Sequence, residues 1–256
     1  MRIQTAKVRI LPNEGVGMAE QLERTASSTA VEAGAHVLDR TIRESLRGHH
    51  ARFAERNGLA VRYQPDVAPF VDLDDSSDPR AWADVAELLG PGGQMALPGV
   101  SEWPDGWEPV FRGEGLQMVG VGVAARPDPE AVVLGPDDVP EILDLIARTE
   151  PGPFLPRTIE LGTYLGIRRD GALIAMAGER QHPPGWIEIS AVCTDPAFRG
   201  QGLAGRLVRA VAADIVQRGE APFLHALGSN TNAISLYRTL GFTLRSRTMF
   251  TVLVQV

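Results

Sequence analysis

The chain has 256 residues, a hydrophobic content of 44% and a formal net charge of −7, which allows one large domain or two small ones with a packed core. The acidic balance, without a basic block, argues against nucleic acid as a partner, and no run of about 18 apolar residues predicts a membrane span. A single cysteine excludes an internal disulfide and favours the cytoplasm.

Residues 1–34 carry turn-forming residues with little periodicity, and we expect a leader that is partly disordered. Its short, broken apolar stretch is not a secretory signal. From residue 35 the pattern becomes helical, and His49 and His50 end this helix. They suit either a metal or acid–base pair or a solvated helix end. We favour the helix end, since the neighbouring sequence supplies no third metal ligand.

The next elements are two strands and a helix. Residues 60–63 and 70–73 read as strands, and Asp78 followed by Pro79 predicts the N-cap and first residue of a helix that runs to Leu89. Further on, residues 112–117 (RGEGLQ) resemble a phosphate-binding loop, but the strand-like run after them provides no helix N-terminus. We therefore expect no phosphate site there. Residues 126–129 mark a boundary.

The second part opens with a strand at residues 131–134 and a helix that ends before Gly152. Residues 163–169 and 172–179 form a predicted hairpin, because Asp170-Gly171 is a strong turn dipeptide. His182 reads as an exposed loop residue before a strand at residues 186–194.

That strand leads to Arg199-Gly200-Gln201-Gly202-Leu203-Ala204 and then to an amphipathic helix that Gly219 ends. Two glycines let the backbone bend sharply. The unpaired N–H groups and the positive end of the helix dipole then favour an anion. The pattern predicts a phosphate-binding loop.

Two kinds of nucleotide site fit such a loop. Residues 200–205 (GQGLAG) match the dinucleotide fingerprint, which follows its strand directly and needs an acid at the end of the next strand. Here five residues intervene, and the strand at residues 222–227 ends in Gly228-Ser229-Asn230. An oxidoreductase that binds a dinucleotide is therefore disfavoured.

The loop instead resembles the pyrophosphate loop of the GNAT superfamily of acyl-CoA N-acyltransferases. A second segment supports this resemblance. Residues 232–242 run from Asn232 to Tyr237-Arg238-Thr239-Leu240-Gly241-Phe242 and are similar to the closing helix of that family. The resemblance covers residues 131–256.

The resemblance implies an α/β fold with a mixed sheet. The order of strands and helices recurs in the two parts, as in the two-part GNAT proteins related to glycine N-acyltransferase. We expect a leader at residues 1–34, followed by two tandem GNAT-like halves. The first half, at residues 35–126, is degenerate, and the second, at residues 127–256, is the catalytic domain and alone carries the CoA motif.

The resemblance also implies the binding residues and acetyl-CoA as cosubstrate, with no metal. The expected contacts of acetyl-CoA are Val192, Cys193, Thr194, Arg199, Gly200, Gln201, Gly202, Leu203, Ala204, Asn232 and Tyr237. Asn232 is expected both to cap its helix and to contact the CoA arm.

An amine must lose a proton before it attacks a thioester, and a carboxylate can take it directly or through water. Glu188 is the first candidate base, with Glu179 or water as alternatives and an ion pair with Arg180 as the competing structural role. Tyr237 is the expected acid, or else a core aromatic residue. Cys193 and His225 read as core residues, and a backbone N–H at residues 192–194 suits the oxyanion.

These features predict an acetyl-CoA-dependent N-acetyltransferase that acts on a primary amine of a small molecule or peptide by direct attack in a ternary complex. The alternative is a non-catalytic acyl-CoA-binding sensor or assembly module on the same fold. We expect a monomer or homodimer, with Trp186, Phe154 and Tyr164 lining an apolar part of the acceptor pocket.

Overall fold

The structure is a computed structural model that describes residues 36–256. The predicted leader at residues 1–34 lies outside the described residues. Val37–Val256 forms one compact unit. The described part of the chain holds no helix that is long and apolar enough to cross a bilayer.

Five α-helices and five short 3₁₀ turns lie in the described residues. The helices are α1 (Thr41–Arg47), α2 (Pro79–Leu89), α3 (Val139–Thr149), α4 (Leu203–Gln217) and α5 (Thr231–Thr239). The predicted start of α2 is confirmed, because the Asp78 side chain accepts a hydrogen bond from the Arg80 N–H and Pro79 is the first helical residue. The predicted first helix is shorter than expected and ends at Arg47.

Three strands of the first part form a small antiparallel sheet in the order β1-β2-β3. They are β1 (Ala54–Asn57), β2 (Ala60–Tyr63) and β3 (Val71–Leu73). An isolated parallel bridge between Phe70 and Ala96 joins the start of β3 to β4 (Gln94–Pro98). This bridge brings the small sheet next to the edge of the large one.

Eight strands form the large mixed sheet, in the order β4-β11-β5-β10-β9-β8-β7-β6. The remaining strands are β5 (Trp107–Val119), β6 (Val132–Leu134), β7 (Tyr164–Arg169), β8 (Ala172–Glu179), β9 (Trp186–Thr194), β10 (Ala221–Leu227) and β11 (Thr243–Gln255). Of the pairs in this sheet, β9 and β10 run parallel and the others antiparallel. The mixed α/β class predicted from the sequence is confirmed.

The strand β5 lies between β10 and β11 and pairs with both. Both β4 and β5 precede residue 127, yet they complete the sheet that the second part builds. The structure thus places strands from both predicted halves in one sheet, and the tandem-half organisation stays a prediction. The segment at residues 112–117, which resembles a phosphate loop, lies inside β5 and presents no helix N-terminus.

Helices cover both faces of the centre of this sheet. Because side chains alternate along a strand, Leu165 and Ile167 of β7 pack in the cluster that contains α4, while Tyr164 packs with Ile142 and Leu145 of α3. Burial on two sides explains why β8 reads as a nearly continuous apolar run. Core clusters therefore pack on both faces of the sheet beside β9.

Candidate functional site

The two parallel strands β9 and β10 pair only at their beginnings, where residues 221–223 face residues 186–188. Beyond Glu188 the pairing stops, and both strands continue along the walls of a cleft with a volume of about 870 Å³. The facing edge of β9 therefore offers backbone N–H and C=O groups to a ligand instead of to β10. A long, narrow substrate can lie along such an edge.

A local irregularity shapes β9 inside the cleft. Ala191 has a φ of 53°, and the pairing with β8 shifts register between Ser190 and Cys193. A positive φ is unfavourable for alanine, and a bulge of this kind redirects the strand. The strain thus lies at the cleft wall, which Ala191 lines.

The loop after β9 ends at the N-terminus of α4. The Asp195 side chain accepts a hydrogen bond from the Ala197 N–H and fixes the turn that enters the loop. Gly200 and Gly202 have φ values of 79° and 73°, and a Cβ at either would meet no described atom within 4 Å. The first α-helical hydrogen bond of α4 runs from the Arg206 N–H to the Gly202 carbonyl oxygen. The N–H groups of the residues before Arg206 therefore have no partner within the helix.

Most of the predicted binding residues line this one cleft. They are Val192, Cys193, Thr194, Arg199, Gly200, Gly202, Leu203, Ala204, Asn232 and Tyr237. Gln201 does not line it and is exposed on the outer side of the loop. Open space at the two glycines, a helix N-terminus and the Arg199 guanidinium together fit a diphosphate group.

The N-cap of α5 lies two residues earlier than the sequence suggested. The Asn230 side chain accepts a hydrogen bond from the Ala233 N–H at 3.1 Å, so Asn230 is the N-cap and the predicted capping role of Asn232 is wrong. Two adjacent candidates compete here, and the one that can fold back onto the third N–H forms the cap. Asn232 is exposed in the first turn and lines the cleft.

The position of Tyr237 is compatible with both roles that the sequence left open. It packs in the core cluster under α4, with its ring 6.0 Å from that of Phe242, and it also lines the cleft. Burial raises the pKa of Tyr237 to about 12, because an apolar environment disfavours the phenolate. The hydroxyl is therefore protonated at neutral pH and can donate a proton or a hydrogen bond.

Glu188 is fully buried at the point where β9 and β10 separate. Its carboxylate accepts two hydrogen bonds from the Arg180 guanidinium, at 2.9 and 2.6 Å, and lies 2.8 Å from Nδ1 of His225. Burial alone favours the neutral acid, but the charge and hydrogen bonds of Arg180, with the contact to His225, lower the pKa of Glu188 to about 2. Glu188 is thus the ionised centre of a buried network.

The carboxylate of Glu188 does not line the cleft, whereas its two hydrogen-bond partners do. Arg180 and His225 both lie in the cleft wall. The Gln117 amide nitrogen lies 3.1 Å from Nε2 of His225, and the Gln117 amide oxygen accepts from Arg245. This orientation makes Gln117 a donor to Nε2, and it places the ring proton of a neutral His225 on Nδ1, where it is donated to Glu188.

Three other predicted roles have clear structural positions. His225 has the hydrogen bonds of a core histidine, as expected, but its place in the cleft wall was not predicted. Glu179, the second candidate base, is buried in an ion pair with Arg218 and does not line the cleft. Burial raises the pKa of Cys193 to about 11, which keeps the thiol protonated and fits a core residue.

The far side of the cleft is built by the first part of the chain and by β11. Phe70, Met95, Phe111, Phe250 and Val252 supply an apolar lining there. No local motif marks these residues, because they meet only through long-range strand pairing. Sequence reasoning therefore missed them.

The aromatic residues predicted for the acceptor pocket lie elsewhere. Phe154 and Tyr164 are buried against each other beside α3, with ring centroids 5.3 Å apart, and Trp186 does not line the cleft. The apolar side chains of alternating strand positions point to opposite faces of the sheet. Tyr164 accordingly points to the core under α3.

Two predictions about histidines are also wrong. His50 is buried, bonded to the Tyr63 hydroxyl at 2.9 Å and the Leu161 carbonyl at 3.0 Å, and burial lowers its pKa to about 4. His182 is half-buried and bonded to Glu220 at 2.7 Å, so it is not a free loop residue. His49 is exposed, as a helix-end residue should be, but it stacks on His182.

Comparisons with known proteins agree with this geometry. The family model described as FR47-like protein matches residues 164–251, the segment that contains β9, the glycine loop and α5. A curated N-alpha-acetyltransferase RimI from Mycobacterium tuberculosis is 35% identical over 82 residues, which are 31% of this chain and 51% of the relative. The uncharacterized protein ML0378 from Mycobacterium leprae is 32% identical over 129 residues, 45% of this chain and 35% of that protein.

The chain therefore spans about half the length of the first curated relative and about a third of the second. Solved structures extend the match. A GCN5-related N-acetyltransferase from Kribbella flavida shares the fold, with a TM-score of 0.59 at 18% identity. A GNAT-family acetyltransferase from Novosphingobium aromaticivorans is 40% identical, covers 87% of this chain and 100% of its own, and has a TM-score of 0.80. With that identity over nearly the whole described fold, the chain belongs to the GNAT family of N-acetyltransferases.

Proposed function

We propose that the chain transfers an acetyl group from acetyl-CoA to a primary amine of a small molecule or peptide while both substrates occupy the cleft. The observation that carries this proposal is the separation of β9 from β10. This separation opens one continuous cleft, which has the glycine loop at one end and Tyr237, Arg180 and His225 in its walls. Such a cleft can hold a phosphate group and a reacting carbonyl at the same time.

Acetyl-CoA would bind with its diphosphate at Gly200 and Gly202, beneath the N-terminus of α4. Arg199 is exposed beside the loop and holds its Nε 3.3 Å from the Thr194 carbonyl oxygen, which leaves the rest of the guanidinium for an anion. The extended arm would follow the unpaired edge of β9 past Val192 and Thr194. Asn232 lies across the cleft as a polar contact for that arm.

The amine must arrive at the carbonyl without its extra proton. Glu188 is ionised but is held by two donors, and its low pKa makes it a weak base by itself. We assign the proton to Nε2 of His225, directly or through a water molecule, with Glu188 holding the opposite nitrogen in its protonated form. The Gln117 amide would then give up its hydrogen bond to Nε2 and keep the one that it donates to the Leu38 carbonyl. Glu188 acting through water is the alternative, and Glu179 is placed outside the cleft by its pair with Arg218.

The reaction then needs two further groups. As the amine nitrogen bonds to the acetyl carbon, negative charge develops on the carbonyl oxygen, and a backbone N–H of β9 at residues 192–194 is suited to stabilise it. The carbon–sulfur bond breaks, and the leaving thiolate takes the proton of the Tyr237 hydroxyl. The attacking nitrogen loses a second proton as the amide forms, and this proton restores the Tyr237 hydroxyl. His225 passes the first proton to solvent, and the product amide and the free thiol leave the site.

A thiol-release assay over a panel of amines, amino acids and peptides tests the proposal. We expect thiol formation that requires both substrates, with intersecting initial-rate lines because attack is direct. Parallel lines would instead indicate a covalent acetyl-enzyme and contradict the ternary complex. Binding of acetyl-CoA without turnover on any acceptor would favour the non-catalytic alternative.

A chromatographic assay of the His225→Asn variant tests the assigned base. We expect a fall in kcat of about 10²-fold or more, with little change in the affinity for acetyl-CoA. If the wild-type dependence of kcat on pH persisted in this variant, the base would be another group. The cytoplasmic location and the identity of the acceptor stay predictions.

A further inference from the structure

Three potential metal ligands from distant parts of the chain meet on the surface, away from the cleft. They are His49, just after α1; His182, between β8 and β9; and Glu220, just before β10. One ligand atom from each lies within 4.8 Å of the others. From the sequence, only the adjacent pair His49 and His50 was a candidate for metal binding, because His182 and Glu220 come from the other half of the chain.

The backbone of His182 is fixed in place at this cluster. Its N–H donates to the buried Ser45 hydroxyl of α1 at 2.9 Å, and its Nε2 lies 2.7 Å from the Glu220 carboxylate. His49 stacks on the His182 ring, with the centroids 3.7 Å apart and the planes 16° from parallel. These contacts hold the three side chains next to one another in the folded chain.

We propose that His49, His182 and Glu220 form a binding site for a divalent transition-metal ion, with Zn²⁺ as the best match. Two imidazoles and one carboxylate are a ligand set that zinc uses, and water completes a tetrahedron. Calcium and magnesium prefer a shell made entirely of oxygen atoms, which this cluster does not supply.

The geometry requires a small rearrangement. Ligand atoms on tetrahedral zinc lie about 3.3 Å from one another, given zinc–ligand bonds of about 2.0 Å. The contact between His182 and Glu220 would open by about 0.6 Å from its 2.7 Å, while the wider separations close. His49 is exposed and can turn its ring out of the stack to do this.

A further contact favours one ring nitrogen of His49 as the ligand. Its Nδ1 lies 3.4 Å from the His182 carbonyl oxygen. Metal-bound histidines commonly donate their second ring N–H to such an oxygen, which fixes the tautomer. That arrangement leaves Nε2 of His49 with a free lone pair.

The role of the ion would be structural. None of the three residues lines the cleft, so the ion would not contact the reacting groups. It would instead tie α1 to the segments that enter β9 and β10. An ion that binds only the folded chain stabilises it and raises its melting temperature.

Calorimetry of the metal-stripped, untagged full-length chain with ZnCl₂ tests this proposal. We expect one Zn²⁺ per chain and a higher melting temperature in its presence. His49→Gln changes an exposed side chain and should fold normally, yet weaken zinc binding by at least tenfold. Glu220→Gln should do the same, while Glu102→Gln, an exposed carboxylate outside the cluster, should bind as the wild type does.

Two results would overturn the proposal. One is a wild-type chain that binds no Zn²⁺ at 100-fold excess over about 1 µM protein, conditions that report a site of ordinary affinity. The other is a zinc affinity unchanged in both His49→Gln and Glu220→Gln, which would place the bound ion elsewhere. Because neither readout involves turnover, the outcome is independent of the acetyltransferase proposal.

Discussion

At the scale of single residues, two ionisable groups, one in the cleft wall and one buried behind it, have pKa values that their surroundings shift in opposite directions. Tyr237 is surrounded by apolar atoms, and burial raises its pKa to about 12. Glu188 is buried more completely, but Arg180 and His225 supply donors that lower its pKa to about 2. A neutral proton donor and a permanent anion in one site are suited to acid–base chemistry at neutral pH.

The substitution Tyr237→Phe removes the proposed acid and keeps the packing. We expect kcat to fall by about 10²-fold, with little change in the affinity for acetyl-CoA, because the phenol acts on the leaving thiolate. Steady-state kinetics and calorimetry measure the two quantities. Tyr164→Phe is the matched control, since its hydroxyl is buried without a hydrogen-bond partner among the described residues and lies outside the cleft. Equal kcat for the two variants would remove the acid role.

The substitution Glu188→Gln leaves Arg180 without its anion inside the protein. At neutral pH we expect a loss of about 3–5 kcal/mol of unfolding free energy, as for other broken buried pairs. The lowered pKa means that the carboxylate stabilises the fold above about pH 4.5 and loses that effect as the pH falls toward 2. The free-energy difference between wild type and variant should therefore shrink over this interval.

Urea unfolding at a series of pH values measures this difference. Asp144→Asn is the control, because Asp144 is 68% exposed in a surface pair with Arg148, and its loss should cost less than about 1 kcal/mol at any pH. A gap that stayed constant from pH 6 to about pH 2.5 would contradict the ionised state assigned to Glu188.

At the scale of elements, the glycine loop and α4 act as one unit. The glycines allow the backbone to turn, and the helix that follows supplies the aligned N–H groups. The segment at residues 112–117 has a similar glycine pattern but lies inside β5. The helix behind the glycines is therefore the part that makes a phosphate site.

Substituting either of two glycines at opposite ends of α4 distinguishes the binding role of the loop from the cost of its backbone conformation. Gly202 and Gly219 have φ values of 73° and 80°, and a Cβ at either meets no described atom within 4 Å. Alanine at each should cost about 1 kcal/mol of stability, because the left-handed region suits glycine. We expect Gly202→Ala alone to weaken acetyl-CoA binding, because its methyl group occupies the proposed phosphate site. Calorimetry that found both variants equally affected, or neither, would contradict that site.

The elements themselves were largely predictable from the sequence. The Asp78 cap, the Asp170-Gly171 turn, with φ values of 50° and 85°, and the start of α4 depend on neighbouring residues, and the structure confirms all three. The network of Arg180, Glu188 and His225 was not predicted as a unit. Its members come together because β9, which carries Glu188, lies between β8, which leads to Arg180, and β10, which carries His225.

At the scale of the whole molecule, strands from both parts of the chain complete one sheet. The strand β5 separates β10 from β11, and its Gln117 supports His225 from the side away from Glu188. The apolar far wall of the cleft also comes from Phe70 and Met95. No local pattern encodes such pairings, so the sequence boundary near residue 126 did not anticipate them.

Producing residues 127–256 alone tests how far this sheet is shared. Without β5, both β10 and β11 would lose a partner, and the core would lose Met118, which is fully buried. We expect a segment that aggregates or lacks a cooperative thermal transition, because unpaired strand edges and exposed apolar surface promote association. Circular dichroism and size-exclusion chromatography provide the measurement. A monomer with a sharp transition would instead support an independent second half.

Isothermal titration of the full-length chain with acetyl-CoA tests the central claim most directly. We expect one site with a micromolar dissociation constant, and no measurable binding to Arg199→Glu, which places a negative charge beside the diphosphate. Arg238→Glu makes the same change of charge at an exposed position outside the cleft and should bind normally. The account would be contradicted by an absence of binding heat at millimolar acetyl-CoA, or by equal affinity of the wild type and Arg199→Glu.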